Sequence, residues 1–142
     1  MNVCGLGNNM KQEEKRFETA FSEAAHYFGC RYYKVPDPII KTGDKVVEHK
    51  RPFDGVLVTT RSIICIELKI AGGKLKTHQK ENLGVINGIH KGGMIILRKF
   101  VSITGNKNNA KVTSWYHVDG VDCKFNSLEE LFLRYLCKKS TF

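Results

Sequence analysis

The sequence predicts a mixed α/β sandwich whose elements run in the order α-β-β-β-α-β-β-α. Apolar residues recur with a helical period near both ends and once in the middle. Between those stretches lie runs rich in β-branched and aromatic residues. Glycine-bearing or strongly polar turns separate one period from the next.

The first helix reads from about Met10 to Phe28, where Phe17, Ala20, Phe21, Ala24 and Phe28 recur on one face and Gly29 supplies a stop. Residues 1–9 precede that stripe and read as a flexible segment opening a single domain over 1–142. "CRYYKVP" reads as a strand and "DPIIKTGDKVVEHKRP" as a polar loop or short excursion. Two β-rich runs follow, Phe53–Thr59 and Ser62–Ile70, joined by a tight connection. After the basic loop "AGGKLK", Thr77 can cap a helix with Leu83, Ile86 and Ile89 on one side, ending at Gly92–Gly93. "MIILRKFVSI" and "VTSWYHVDG" are strands around the turn "TGNKNNAK". "SLEELFLRYLCKK" closes the chain as an amphipathic helix with Ser127 and Glu130 placed as a capping box. Phe17, Phe21, Phe28, Leu131, Phe132 and Leu136 form the expected core.

A chain of 142 residues can bury one respectable core. Its net charge of +9 points to a polyanionic partner, nucleic acid ahead of an acidic membrane surface. No apolar stretch approaches the roughly 18 residues that span a bilayer, and the N-terminus lacks the apolar region of a secretory signal. The five cysteines form no CxxC pair and no zinc-like cluster with histidine. Reduced thiols in a cytoplasmic compartment are the expectation, the host's cytoplasm for a phage or viral chain.

The informative stretch is "RPFDGVLVTTRSIICIELK", Arg51 to Lys69, which places Asp54, Glu67 and Lys69 in a β-hairpin. Charged groups in a sheet interior are costly unless compensated. Residues two apart in a strand share a face, so Glu67 and Lys69 point with Ile63 and Cys65, away from Ile64, Ile66, Leu68 and Ile70. A loop of even length, Thr60–Arg61 or Thr59–Ser62, sets position 54 across from position 67. The four-residue version is the easier, because Thr-Arg supplies neither positive φ that a primed two-residue turn wants. Carboxylates on Cβ atoms about 4.5–5.5 Å apart repel one another. A divalent cation between them resolves the repulsion, since Mg²⁺ needs only one or two protein carboxylates and keeps several waters. Lys69 on the same face can hold an attacking water or stabilise charge on a phosphate.

"RPFDG" followed by "IELK" resembles the PD-(D/E)xK motif of the restriction-endonuclease-like nucleases. Asp54 matches its aspartate, Glu67 its second acid and Lys69 its lysine; Pro52 stands two residues before the aspartate. The pair Pro36–Asp37 precedes a second proline and no strand, and is read as a decoy. Gln79 fits the glutamine that several members carry on the helix after the lysine strand. "KRFETAF" resembles the first helix that completes the metal site in many members, which selects Glu18. Glu14 lies nearer the centre of the apolar face and stays open as the alternative. The resemblance, over roughly residues 10 to 100, is strongest to Holliday-junction resolvases of archaea and of Gram-positive bacteria and their phages.

The resemblance implies a restriction-endonuclease-like mixed sheet flanked by helices and a metal-dependent endodeoxyribonuclease. Mg²⁺, with Mn²⁺ able to substitute, would be held by Asp54, Glu67, the Leu68 carbonyl and Glu18. Lys69 would position the water, and Gln79 would orient Lys69 or the scissile phosphate. Arg51, Lys74, Lys76, Lys80 and Lys91 are the candidate phosphate contacts. Branched DNA and a homodimer are the implied partners; "MIILRKFVSI" and the last helix, with Leu131, Phe132, Tyr135 and Leu136, offer apolar surface for the second copy. His78 and His90 read as surface residues, and His26 as packing at a helix edge. The alternatives are a repair or restriction-type nuclease on duplex or flapped DNA, and a DNA-binding module with a vestigial site. Singly, Asp54-Gly55 is also an ordinary turn signal and Glu67 with Lys69 an ordinary same-face ion pair. Their conjunction with Gln79 and the basic charge favours the nuclease.

Overall fold

The computed structural model describes residues 3–37, 39–48 and 51–141. Helix α1 (Val3–Tyr27) leads into β1 (Arg31–Lys34), a separate hairpin β2 (Ile39–Thr42) and β3 (Lys45–Glu48), then β4 (Gly55–Val58) and β5 (Ile63–Ile70). Helix α2 (Thr77–Ile89) crosses to β6 (Met94–Thr104), followed by β7 (Lys111–Val118), β8 (Lys124–Phe125) and α3 (Leu128–Arg134), with a final 3₁₀ turn at Leu136–Lys138. One six-stranded sheet has the order β1-β4-β5-β6-β7-β8, antiparallel except for the β5/β6 pair. The protein is therefore an α/β fold with a mixed sheet and, among the described residues, three α-helices.

Several boundaries differ from the sequence reading. Helix α1 starts at Val3, so the stretch expected as a flexible leader is helical backbone from there on. Each residue added to an existing helix gains a hydrogen bond cheaply, so a helix can outrun the apolar stripe that nucleates it. The stretch read as a polar loop holds the β2–β3 hairpin. Its two-residue loop places Gly43 at φ +61°, the conformation that primed turns reserve for glycine, between the β-branched pairs Ile39–Ile40 and Val46–Val47. Thr77 is the first helical residue of α2, and Lys76 holds the cap position, its N–H satisfied by the Gln79 side chain at 2.9 Å. Ile86 is buried as expected, whereas Ile89 is 81% exposed. At α3, Ser127 Oγ accepts from the Glu130 N–H at 3.0 Å, and the Glu130 carboxylate accepts from the Asn126 N–H at 2.8 Å.

The core lies between the sheet and the α1/α3 layer. Phe17, Phe21 and Ala25 of α1 pack with Leu57, Ile64, Ile66, Leu68, Ile95 and Leu97 of the sheet. Leu131, Phe132 and Leu136 close it from the C-terminal segment, each at most 1% exposed, so they serve this chain's own core and offer nothing to a second copy. Burying each such side chain is worth roughly 1.5–3 kcal/mol. Exposed apolar groups include Val101, Ile103 and Val112, on the ribbon where β6 and β7 outrun the sheet, and Val85, Ile89 and Leu133 on the helices.

One close approach ties the core to the hairpin. Gly55 lies under the Tyr32 ring, where a Cβ would stand 2.4 Å from the ring carbon Cζ. That ring cannot retreat freely, since it meets Phe21 edge-on with centroids 5.2 Å apart. Gly55→Ala is expected to cost about 1–3 kcal/mol in urea unfolding as an overpacked site. Most of that cost should vanish in a Tyr32→Ala background; an additive double mutant would remove Tyr32 as the cause.

Candidate active site

The β4–β5 loop is the four-residue Thr59–Ser62, closed by Thr59 N–H to the Ser62 carbonyl at 2.9 Å and by their hydroxyls at 2.7 Å. This fixes Gly55 opposite Ile66, and one step further brings Asp54 to Glu67. The two acids are cross-braced through the backbone. The Asp54 N–H donates to Glu67 Oε2 at 3.1 Å, and the Leu68 N–H donates to Asp54 Oδ2 at 2.7 Å. Asp54, Glu67 and Lys69 are only 7%, 2% and 9% exposed. Polar groups this deep persist only when every atom is partnered. Among the described residues, no buried side-chain nitrogen or oxygen lacks a partner.

The remaining carboxylate oxygens have different kinds of partner. Glu67 Oε1 accepts from Gln79 Nε2 at 2.8 Å, with Lys69 Nζ at 3.8 Å. Gln79 thus orients Glu67, where the sequence reading assigned it to Lys69 or to the phosphate. Asp54 Oδ1 takes the Arg51 guanidinium at 2.6 Å. Burial, and then the Asp54 charge, push the Glu67 carboxyl up to about 8, with Lys69 opposing them.

Two lobes of one groove meet at this pair. Glu14, Arg51, Asp54 and Leu68 line both. The lobe beneath α2, about 300 Å³, adds Asp37, Glu67, Lys69, Lys76, His78 and Gln79, so His78, and Asp37 of the pair read as a decoy, belong to the cleft wall. The lobe along α1, about 260 Å³, adds Lys11, Lys15, Glu18 and Lys34. Glu18 is engaged there, accepting from Tyr32 OH at 3.3 Å and pairing with Lys34 at 3.2 Å. Glu14 borders both lobes and is exposed. Lys74, Lys80 and Lys91 are exposed outside the lining. His90 Nε2 sits 2.6 Å from the Ile63 carbonyl, a structural contact, and His26 is exposed beside Arg31 at 2.9 Å.

A hard cation fits this donor set. Asp54 and Glu67 converge where burial already penalises their charge, which a bound Mg²⁺ would offset. No group of three or more His, Cys, Asp or Glu gathers for a metal among the described residues, so the two acids and a backbone carbonyl would be completed by water.

Five contributors escaped the sequence reading. Tyr32 joins Glu18 to the ring wall over Gly55. Lys11, Lys15 and Lys34 make the α1 lobe basic; the i, i+4 spacing of Lys11 and Lys15 was their only visible signal. Arg98 stands beside Lys69 in the parallel ladder and grips Asp119 through Nε at 2.7 Å and a terminal nitrogen at 3.1 Å. It also donates to the carbonyls of Ala71 at 3.0 Å and Gly73 at 2.6 Å, fixing the loop after β5, where Ala71 holds φ +49°. A non-glycine residue in that conformation costs about 1–3 kcal/mol unless its surroundings enforce it. No family model, curated protein or solved structure matches this chain.

The raised Glu67 value has a signed consequence for the metal-free protein. Folding favours protonated Glu67, so its stabilising contribution is complete below the ordinary value of 4.5 and is lost as pH rises through about 8. With chelator present, Tm should fall between pH 6 and pH 8.5, and the fall should be clearly smaller in Glu67→Gln. Parallel Tm profiles for the two proteins would remove Glu67 as the titrating group.

Proposed function

We propose that the protein is a Mg²⁺-dependent endodeoxyribonuclease of restriction-endonuclease-like architecture. The observation that carries this reading is the burial of Asp54, Glu67 and Lys69 together at the floor of a groove bordered by Lys11, Lys15, Lys34, Arg51 and Lys76, with Glu14, Glu18 and Asp37 among them. A fold has no structural need for two such acids side by side, and their desolvation is costly. When bound between them, Mg²⁺ would supply charge neutralisation at the scissile phosphate and lower the pKa of a bound water.

The chain's own groups do the rest. Asp54 and Glu67 would hold the cation, with Gln79 and the two backbone N–H donors keeping both carboxylates aimed. Lys69 would hold the attacking water and offset charge developing on the phosphate. Positioning of phosphate, water and carboxylates in one rigid floor accounts for the rate. The DNA backbone would run along both lobes, meeting Lys76 in one and Lys11, Lys15 and Lys34 in the other. The finer reading is a Holliday-junction resolvase. Symmetric cutting of a four-way junction needs two sites related by a two-fold axis, and a chain with one site reaches that through a homodimer. The exposed Val101, Ile103 and Val112 ribbon is one apolar surface that such a dimer could use.

The decisive experiment incubates wild type and variants with a four-way junction, a flap and linear duplex, with and without Mg²⁺. Asp54→Ala and Glu67→Ala should abolish cleavage while keeping or tightening DNA binding, and Lys69→Ala should lose cleavage yet still bind metal by calorimetry. Substantial cutting by either acid variant would sink the site assignment. Paired nicks near the branch by a sedimenting dimer support the resolvase reading. Equal cutting of linear duplex, or a monomer on the junction, moves the function to a repair or restriction-type nuclease.

Salt dependence probes the path. Affinity should drop by orders of magnitude between about 50 and 200 mM salt if several phosphates are contacted. Removing Lys74 and Lys76 together, or Lys11 and Lys15 together, should each flatten the log–log slope by about two units. A slope unmoved by Lys11 and Lys15 excludes the α1 lobe from the path, and one unmoved by Lys74 and Lys76 excludes the loop before α2 and the Lys76 wall.

A further inference from the structure

We infer that Arg51 is a resident counter-cation of the metal site: its guanidinium occupies the cation position on Asp54 in the metal-free protein and is handed to a DNA phosphate when the divalent ion enters. The inference rests on the nuclease reading and goes beyond it.

The four carboxylate oxygens of the acid pair carry the argument. Three of them, Asp54 Oδ2 and both oxygens of Glu67, accept from donors fixed by the fold: the N–H groups of Leu68 and Asp54 and the Gln79 amide. Those donors are neutral and stay in place whatever else binds. Among the described residues, the fourth, Asp54 Oδ1, is held only by a charged and detachable group, the Arg51 guanidinium at 2.6 Å. Lys69 Nζ stands 3.8 Å from Glu67 Oε1 and makes no hydrogen bond there. Among the described residues the closest compensating charge on the pair is therefore Arg51, and the oxygen it covers is the one that the neutral donors leave open.

The arrangement suits release. Arg51 is anchored by its main chain, whose N–H donates to Asp37 Oδ1 at 2.9 Å, so the side chain can swing without loosening the segment. Its side chain is 31% exposed against 11% for Asp54, and it lines both lobes at their junction. A guanidinium leaving Asp54 Oδ1 enters the groove along which the DNA backbone is proposed to pass. A planar fork matched to phosphate oxygens is suited to that second partner. A divalent ion is the stronger competitor for Asp54, so metal entry and Arg51 transfer are coupled, and by linkage so are metal and DNA binding.

The test is the affinity of the DNA-free protein for Mn²⁺ by calorimetric titration, with Arg51→Met as the central variant. Removing the competitor should tighten Mn²⁺ binding about tenfold, that is by about 1.4 kcal/mol. Merely structural damage would weaken it. Lys76→Met removes another cation of the same groove and should change the affinity by no more than about twofold, as expected of a charge acting at a distance through solvent. A second arm measures junction binding in a Lys69→Ala background, where Arg51→Met should weaken DNA binding with Mn²⁺ present and barely affect it with chelator. Unchanged or weaker Mn²⁺ binding in Arg51→Met overturns the inference, as does an equal gain in Lys76→Met or a DNA defect independent of metal. The nuclease reading survives each of these and fails separately, if Asp54→Ala binds Mn²⁺ as wild type does.

Discussion

The register between β4 and β5 forces the carboxylates of Asp54 and Glu67 into one place of very low exposure, and the surroundings are organised by the charge that results. Two acids this close would separate if the chain allowed it. They stay because each is bonded to the other's backbone neighbourhood, Asp54 through its own N–H to Glu67 and Leu68 through its N–H to Asp54. Moving either carboxylate would break a ladder already fixed by the Thr59–Ser62 loop. The cost appears as a Glu67 carboxyl that holds its proton to about pH 8.

Strand β5 reconciles this charge with a stable fold by dividing its two faces. Ile64, Ile66 and Leu68 feed the core against α1 and α3, while Glu67 and Lys69 face the α2 side. The core therefore pays nothing for the charged residues except through the strand's position, which its packing makes rigid. Tyr32 extends that rigidity to the mouth of the groove, wedged between Phe21 and Gly55 and bonded to Glu18.

The parallel β5-α2-β6 crossover supplies what the hairpin cannot. It returns the chain over the charged face, so that Gln79 reaches Glu67 from the first turn of α2. It also brings Arg98 beside Lys69, and through Arg98 the loop from Ala71 to Gly73 is clamped to Asp119 at the end of β7. Elements distant in sequence thus hold one lysine, one glutamine and two acids in a fixed relation.

By itself the sequence determined the hairpin, its even register, the facing pair at 54 and 67 and the division of β5 into two faces. Those follow from the two-residue period of a strand and from turn chemistry, both local properties. The capping box at Ser127 and the cores of α1 and α3 were legible for the same reason. The β2–β3 hairpin was obscured by charged residues around short β-branched pairs, and the length of α1 by a stripe that ends before the helix does. Tertiary structure alone decided that Arg51 sits on Asp54, that Gln79 serves Glu67, that Glu18 is engaged by Tyr32 and Lys34, and that Arg98 clamps the loop after Lys69. Each of these depends on which strands become neighbours and which helix covers which face, and such long-range pairing leaves no periodic trace in the chain.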